Sequence, residues 1–525
     1  SGTSGQAFAI ETEGNNTLNI YATAAGGGIT FNGGTATTAS VYDFVFRGVT
    51  NILALSGPIS IKGGQLGGVA NAYYYLSNDM YLGSKAATPI TSSSSHINLQ
   101  LDRYIFASGA SPKLATSGYV TVQPNANSYT DYLYTSWINF NQNGQIMSGL
   151  TLGKPENTKT IYINSVFNVA GPITAYGGYV ELTSSITSSA NGNILLKGSS
   201  TTSNSVNIAS GGITKTAGTG TLTLQGNTRV INYGTLSATG TASLNVIFWS
   251  DYDNTNNDGG SSQLGTISTN GGHVWLGGSN SAGGSYTWNG LTVGDGPSIG
   301  ASGYNGHALD IWGYITTNGG DVLAWAGVGA SGYVNGIVTN AGWEVNVGNG
   351  DIILITDYIL GSGPSLFFRQ NGGTFTLVPN EGSFPNTLDW SPYYGPYGSW
   401  MGWNFPGDFN YLWIENPTTL TNLTLGRYDG MLNNGTPVVL TNSTPITIAT
   451  EMNTAGNIAI YGGTITLNNN LSTTNNGHIG LYSDNAIAGL TSQRNVTAAG
   501  TFTYAPLSTT FASAVSYPIT NLNVD

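Results

Sequence analysis

"ISTNGGHVWLGG", residues 267–278, is answered 48 residues later by "ITTNGGDVLAWAG", residues 315–327. Weaker copies stand at 190–198, "ANGNILLKG", and at 474–483, "TNNGHIGLYS". A catalytic motif usually occurs once in a chain. A phrase that recurs along it marks a structural unit that stacks on its own copies. Longer stretches align as well. "AGPITAYGGYVELTSSITSSANGNILLKG" (170–198) matches "AGNIAIYGGTITLNNNLSTTNNGHIGLYS" (455–483), which places Tyr176 on Tyr461, Leu182 on Leu467, Gly192 on Gly477 and Leu196 on Leu481. "SGPISIKGG" (56–64) repeats the first half, and "LTLG" (150–153, 423–426) and "LTVG" (291–294) are shorter echoes. The period is irregular.

Within a copy the apolar residues alternate: Ile465, Leu467 and Leu471 fall on one parity. Period two is the signature of a strand. The strands are short and punctuated by GG, NG, AG and SG pairs, which supply turns with positive φ. No long window shows a 3.6-residue period. A sandwich or barrel would close within roughly 100–250 residues, whereas a solenoid adds coils indefinitely. The pattern predicts an all-β chain folded as an elongated parallel β-helix, or β-solenoid. Asn318 and Asn340, 22 residues apart, suggest coils of about 22 residues and roughly 24 of them.

Composition narrows the function. Of 525 residues 76 are Gly, 7% are charged and 11% are aromatic. So few charges with so many aromatics describe an ordered chain whose surface is polar through Asn, Ser and Thr. The net charge of −12 argues against a nucleic-acid partner, which demands clustered cations. No apolar stretch is long enough for a membrane span. Cys is absent, which excludes disulfides, thiolate nucleophiles and Cys-based zinc sites. "SGTSGQAFAI" (1–10) lacks both Met and a signal-peptide pattern, so a processed or excised piece of a longer chain is expected. The composition fits an exported bacterial surface protein.

The stretches "GGITKTAGTGTLTLQG" (211–226), "VIFWSDYDN" (246–254) and "WNGLTVGDGPSIG" (288–300), with the phrases above, resemble the filamentous-haemagglutinin-like repeats of giant Bacteroidota surface adhesins, of the SprB-like gliding kind. The likeness covers roughly 150–496 and, more weakly, the first 100 residues. It implies a right-handed parallel β-helix, type IX secretion, an extracellular location at the cell surface, and adhesion rather than catalysis. The expected organisation is N-terminal coils over 1–149, central repeats over 150–389 with a loop at 251–260, an aromatic insertion at 390–413, and C-terminal coils over 414–525.

Two stretches carry candidate chemistry. "DYDNTNNDGG" (251–260) offers Asp251, Asp253 and Asp258 as hard oxygen ligands for calcium, the one cofactor the sequence suggests. It departs from the EF-hand loop in having Asn256 where Gly belongs and no Glu at the twelfth position; the plainer reading is a solvated turn. "WSPYYGPYGSWMGWNFPGDFNYLW" (390–413) presents Trp390, Tyr394, Tyr397, Trp400 and Trp403 as flat surfaces for sugar rings; the plainer reading is a small satellite core. Catalytic residues are not expected. The acids Asp310, Asp321, Glu344, Asp351 and Asp357 are scattered, and "GPSIG" (296–300) precedes no helix, so it is no nucleophile elbow. His273, Asp321, His478 and Asn193 share one slot of the repeated phrase, which marks a polar corner. The expected function is a structural and adhesive segment of an extracellular filament. It would attach to surfaces or polysaccharides, serve in gliding motility, and join neighbouring repeats of the same longer chain. A polysaccharide-active β-helix enzyme, which a carboxylate–Arg/Lys cluster would favour, and a self-assembling sheath subunit remain open.

Overall fold

The computed structural model describes the chain except for residues 1–9, 13–15, 34, 37–43, 67–68, 71–72, 203, 256–258, 301–306, 328–335, 341–343, 363–366, 381, 386–387, 396–397, 405–410, 416, 434–435 and 517. The described residues form short β-strands with only three 3₁₀ turns of three residues each. They divide into two compact units, Ser1–Gly226 with Gly234–Ser243, and Asn227–Tyr233 with Leu244–Asp525.

Each unit is a parallel β-helix. In the first, one coil runs through Gly149–Leu152, Ile161–Ile163 and Phe167–Val169 before the next begins at Ile173–Gly177. Like positions then stack. Ile59, Ile97, Val120, Leu150, Ile173, Ile194 and Leu222 are register partners on the first face, and all are buried. The second unit repeats the device with Val246, Val274, Val322, Ile352, Phe375, Leu423, Ile458 and Ile479. Each such side chain, fully removed from water, is worth about 1.5–3 kcal/mol.

The two copies of the opening phrase lie directly on one another. Ile267 pairs with Ile315 on the third face, and Val274 with Val322 on the first. The corner between these strands explains the spelling "TNGG". Thr269 Oγ1 donates to Gly272 O at 2.5 Å, and Thr317 Oγ1 to Gly320 O. Asn318 and Gly319 follow with φ of 55° and 111°, the left-handed region that Asn and Gly enter most readily. Gly320 must be glycine for another reason: a Cβ there would lie 2.0 Å from Gly272 O of the coil before.

Coil length departs from expectation. On the first face it ranges from 21 residues, Ile458 to Ile479, to 48, Val274 to Val322. The 22-residue spacing of Asn318 and Asn340 joins different places: Asn318 sits at a corner, while Asn340 ends the strand Ile337–Asn340. Insertions account for the long coils. "LTVG" is not a coil strand. Leu291–Gly294 forms a hairpin with Ser285–Trp288 across Asn289 and Gly290, both at positive φ, as a two-residue type I′ turn requires. The aromatic stretch forms strands Leu388–Gly395, Gly398–Asn404 and Tyr411–Glu415, paired antiparallel and spliced into the third sheet between Phe367–Gln370 and Ile446–Ile448. The first face meanwhile passes straight from Thr374–Val378 to Asn422–Leu425.

Candidate functional site

The polar slot of the repeat has a clear occupation. In the second unit His273 N–H donates to Asn245 Oδ1 (2.8 Å), Asp321 N–H to His273 Nδ1 (2.9 Å), Asp351 N–H to Asp321 Oδ1 (2.8 Å) and Thr374 N–H to Asp351 Oδ1 (2.6 Å). Farther along, His478 N–H donates to Asn457 Oδ1 and Thr501 N–H to His478 Nδ1. The first unit shows the same bond from Thr221 N–H to Asn193 Oδ1. His, Asp and Asn are interchangeable here because each offers one acceptor to the backbone of the next coil. Burial, with the Asp321 carboxylate nearby, raises the pKa of Asp351, while Thr374 opposes this.

Of the loop residues expected to bind calcium, Asp251 is fully buried, with φ of 50°. Asp253 is half-buried and accepts a bond from Thr255. Asp258 lies outside the described residues. No group of three or more His, Asp or Glu that could hold a metal ion occurs among the described residues. Of the expected sugar-stacking aromatics, Trp390 and Tyr394 lie on strand Leu388–Gly395, and Trp400 and Trp403 on strand Gly398–Asn404. Trp390 is the register partner of Trp403. Tyr397 lies outside the described residues.

Two arrangements were not anticipated. The first is a cluster on the second sheet of the second unit. Arg229 Nη2 donates to Asp310 Oδ2 (3.0 Å) and to Ser262 Oγ (2.5 Å), and Ser262 Oγ donates to the same Asp310 oxygen (2.8 Å). Asp310 Oδ1 lies 2.7 Å from His307 Nδ1. Asp310 and Ser262 are buried. The carboxylate fixes the imidazole as in a catalytic dyad. Ser262, however, is bonded to the carboxylate and not to the ring. Glycoside hydrolysis would need a second carboxylate across the substrate. The cluster joins residues up to 81 apart in sequence, and only the coil register brings them together.

The second is a cleft of about 600 Å³ in the first unit, lined by Arg103, Phe106, Asp131, Tyr132, Trp137 and Asn139 among others. Tyr132, Tyr134, Trp137 and Tyr162 meet beside it. Tyr134 stacks on Tyr162 with ring centroids 4.5 Å apart, and Tyr132 and Trp137 stand edge-on to Tyr134 or tilted against one another. Burial and the neighbouring Tyr134, Glu181 and Tyr132 raise the pKa of Tyr162. "DYLYTSW" (131–137) carried the signal in sequence, but its partner Tyr162 is a coil away. A larger cleft of about 830 Å³ at the last coils is lined mainly by apolar and small side chains such as Phe502, Phe511, Ile519 and Leu522. No family model matches the chain, and no curated protein or solved structure matches it.

Proposed function

We propose that the chain is a structural and adhesive segment of a large extracellular surface filament, engaging polysaccharides or other surfaces through its outer faces. The observation that carries this reading is the in-register stacking of the repeated phrase. The recurrent His and Asp side chains, which an enzyme would keep for substrate, are engaged by backbone N–H groups of the next coil. The expected exported, cell-surface setting, gliding and type IX secretion belong to this proposal through the resemblance of the repeats. Beads coated with the protein should adhere to glass and to polysaccharide films several-fold more than albumin-coated beads; equal adhesion refutes the reading. Calcium bound at the loop of Asp251, Asp253 and Asp258 is part of the proposal, and millimolar calcium should then raise the melting temperature.

A second reading, a polysaccharide-active enzyme, is favoured by one observation, the Arg229–Asp310–His307 cluster. It requires that the protein release new reducing or unsaturated ends from a polysaccharide and that His307→Ala abolish the release.

A further inference from the structure

We infer that the cleft beside Trp137 binds a polysaccharide chain, with Tyr132, Tyr134, Trp137 and Tyr162 as the surface on which sugar rings stack. The inference deepens the adhesive reading and rests on it. The site arises from a seam in the coil. Arg103–Phe106 is the last strand of one sheet, and Leu133–Tyr134 the first of another. Directly after Leu133–Tyr134 the chain makes a 3₁₀ turn at Thr135–Trp137. The last strand of a sheet turns its outer side away from the other strands, and here Arg103–Phe106 line the cleft.

The aromatics are not core residues. Leu133, Ile161 and Ile163 point inward and are buried, so alternation turns Tyr134 and Tyr162 outward. Tyr132 is 41% exposed. Clustered exposed rings mark an interaction site more often than chance exposure does. Around them stand Arg103, Asp131, Ser136 and Asn139, a mixture of donors and acceptors suited to hydroxyl groups, which are both. Tyr162 is followed at the next coils by Glu181 and Asn207, in register and about 4.8 Å apart. This polar row extends the platform along the coil axis, which favours an extended chain over a single small molecule. Single-stranded nucleic acid also stacks on aromatics, but it needs a cationic groove. Here Arg103, the one cationic residue of the lining, shares it with Asp131 in a chain of net charge −12. An apolar peptide would want aliphatic walls, whereas Ile105 is the one large aliphatic residue of this lining.

The test is affinity electrophoresis of the protein in gels containing hydroxyethyl-cellulose, xylan, laminarin or alginate. Retardation is expected in at least one gel, with the dissociation constant raised at least tenfold by Tyr132→Ala/Trp137→Ala. Tyr132→Phe should keep binding, and Tyr233→Ala, at an exposed ring outside the cleft lining, should leave it unchanged. Should the double variant not fold, Tyr132→Ser at the exposed position serves in its place, with an expected weakening of several-fold. No retardation in any gel, or equal retardation of the cleft variants, overturns the inference. So does loss confined to a Trp390→Ala/Trp400→Ala variant, although the adhesive reading then stands. Binding of a Trp-rich decapeptide in place of every polysaccharide also overturns it. Failure of coated beads to adhere would remove the adhesive reading whatever the gels show.

Discussion

The first face is a single wall in the first unit and, over strands Val274–Gly277 to Ile352–Ile355, the inner layer of a double wall in the second. In the first unit, strands Ile173–Gly177 and Ile194–Gly198 bury alternate residues and leave Thr174, Tyr176, Leu195 and Lys197 half-exposed. In the second, Val274–Gly277, Val322–Trp325 and Ile352–Ile355 bury every residue. Here the outward row is Trp275, Leu323 and Ile353, joined by Trp249, Trp325 and Ile355. The hairpin Ser285–Gly294 and a second one, Arg427–Asn433 with Thr436–Thr441, form an antiparallel sheet. Trp288, Val293 and Met431 of these hairpins pack on the outward row. The same repeat can therefore serve as a bare wall or as a floor, and the outward parity decides which.

The difference can be broken by substitution. Trp275→Ala should cost the second unit about 3–5 kcal/mol, the range for a fully buried aromatic. Leu195→Ala, one outward position in the first unit, should cost about 1 kcal/mol or less. Chemical denaturation of both variants measures this, and equal losses would erase the distinction. Met431→Ala, which loosens the cover and leaves the coils intact, should cost about 2–3 kcal/mol. It should also add binding of a hydrophobic dye with little change in far-UV circular dichroism.

A smaller effect sharpens the comparison at the polar slot. Asp351, at the edge of the covered wall, has a raised pKa. Its ionised form is disfavoured in the folded state, so it costs stability above its raised pKa. That cost is relieved as pH falls through the raised value towards the ordinary 3.8. Asp351→Asn keeps the acceptor for Thr374 N–H and removes the charge. It should therefore stabilise at pH 7 by under about 1 kcal/mol, because solvent screening is substantial at this half-exposed group. The gain should vanish near pH 3.5. Thermal melts across that range check it, and destabilisation at pH 7 would contradict it.

The sequence revealed what is local. Alternation named the buried residues Ile465, Leu467 and Leu471, and the recurrent "NGG" named the corners. It also placed His273, Asp321 and His478 in a corner role. What it obscured depends on register between coils. Coil lengths of 21 to 48 residues follow from hairpins that use the same Thr, Val and Gly vocabulary as the coils, and "LTVG" was misread for that reason. The run "VLAW" is apolar on both parities, as strands covered on two sides are; this was the visible sign of the double wall. Arg229, Ser262 and Asp310 lie on successive coils, and Tyr134 and Tyr162 likewise. No spacing within one segment could reveal either group.

Repetition as stacking is the claim on which the rest depends, and the absence of Cys from the chain allows a direct test. Ser268 and Thr316 are register partners in the two copies of the phrase. Neighbouring in-register strands, about 4.8 Å apart, fall within the Cα separation a disulfide spans. Ser268→Cys/Thr316→Cys should close an intramolecular disulfide on mild oxidation, seen as the loss of both free thiols and of two mass units in the monomer. Ser268→Cys/Tyr314→Cys, shifted by two residues, should retain its thiols. Closure of the shifted pair in place of the aligned one, or of neither, would contradict the stack.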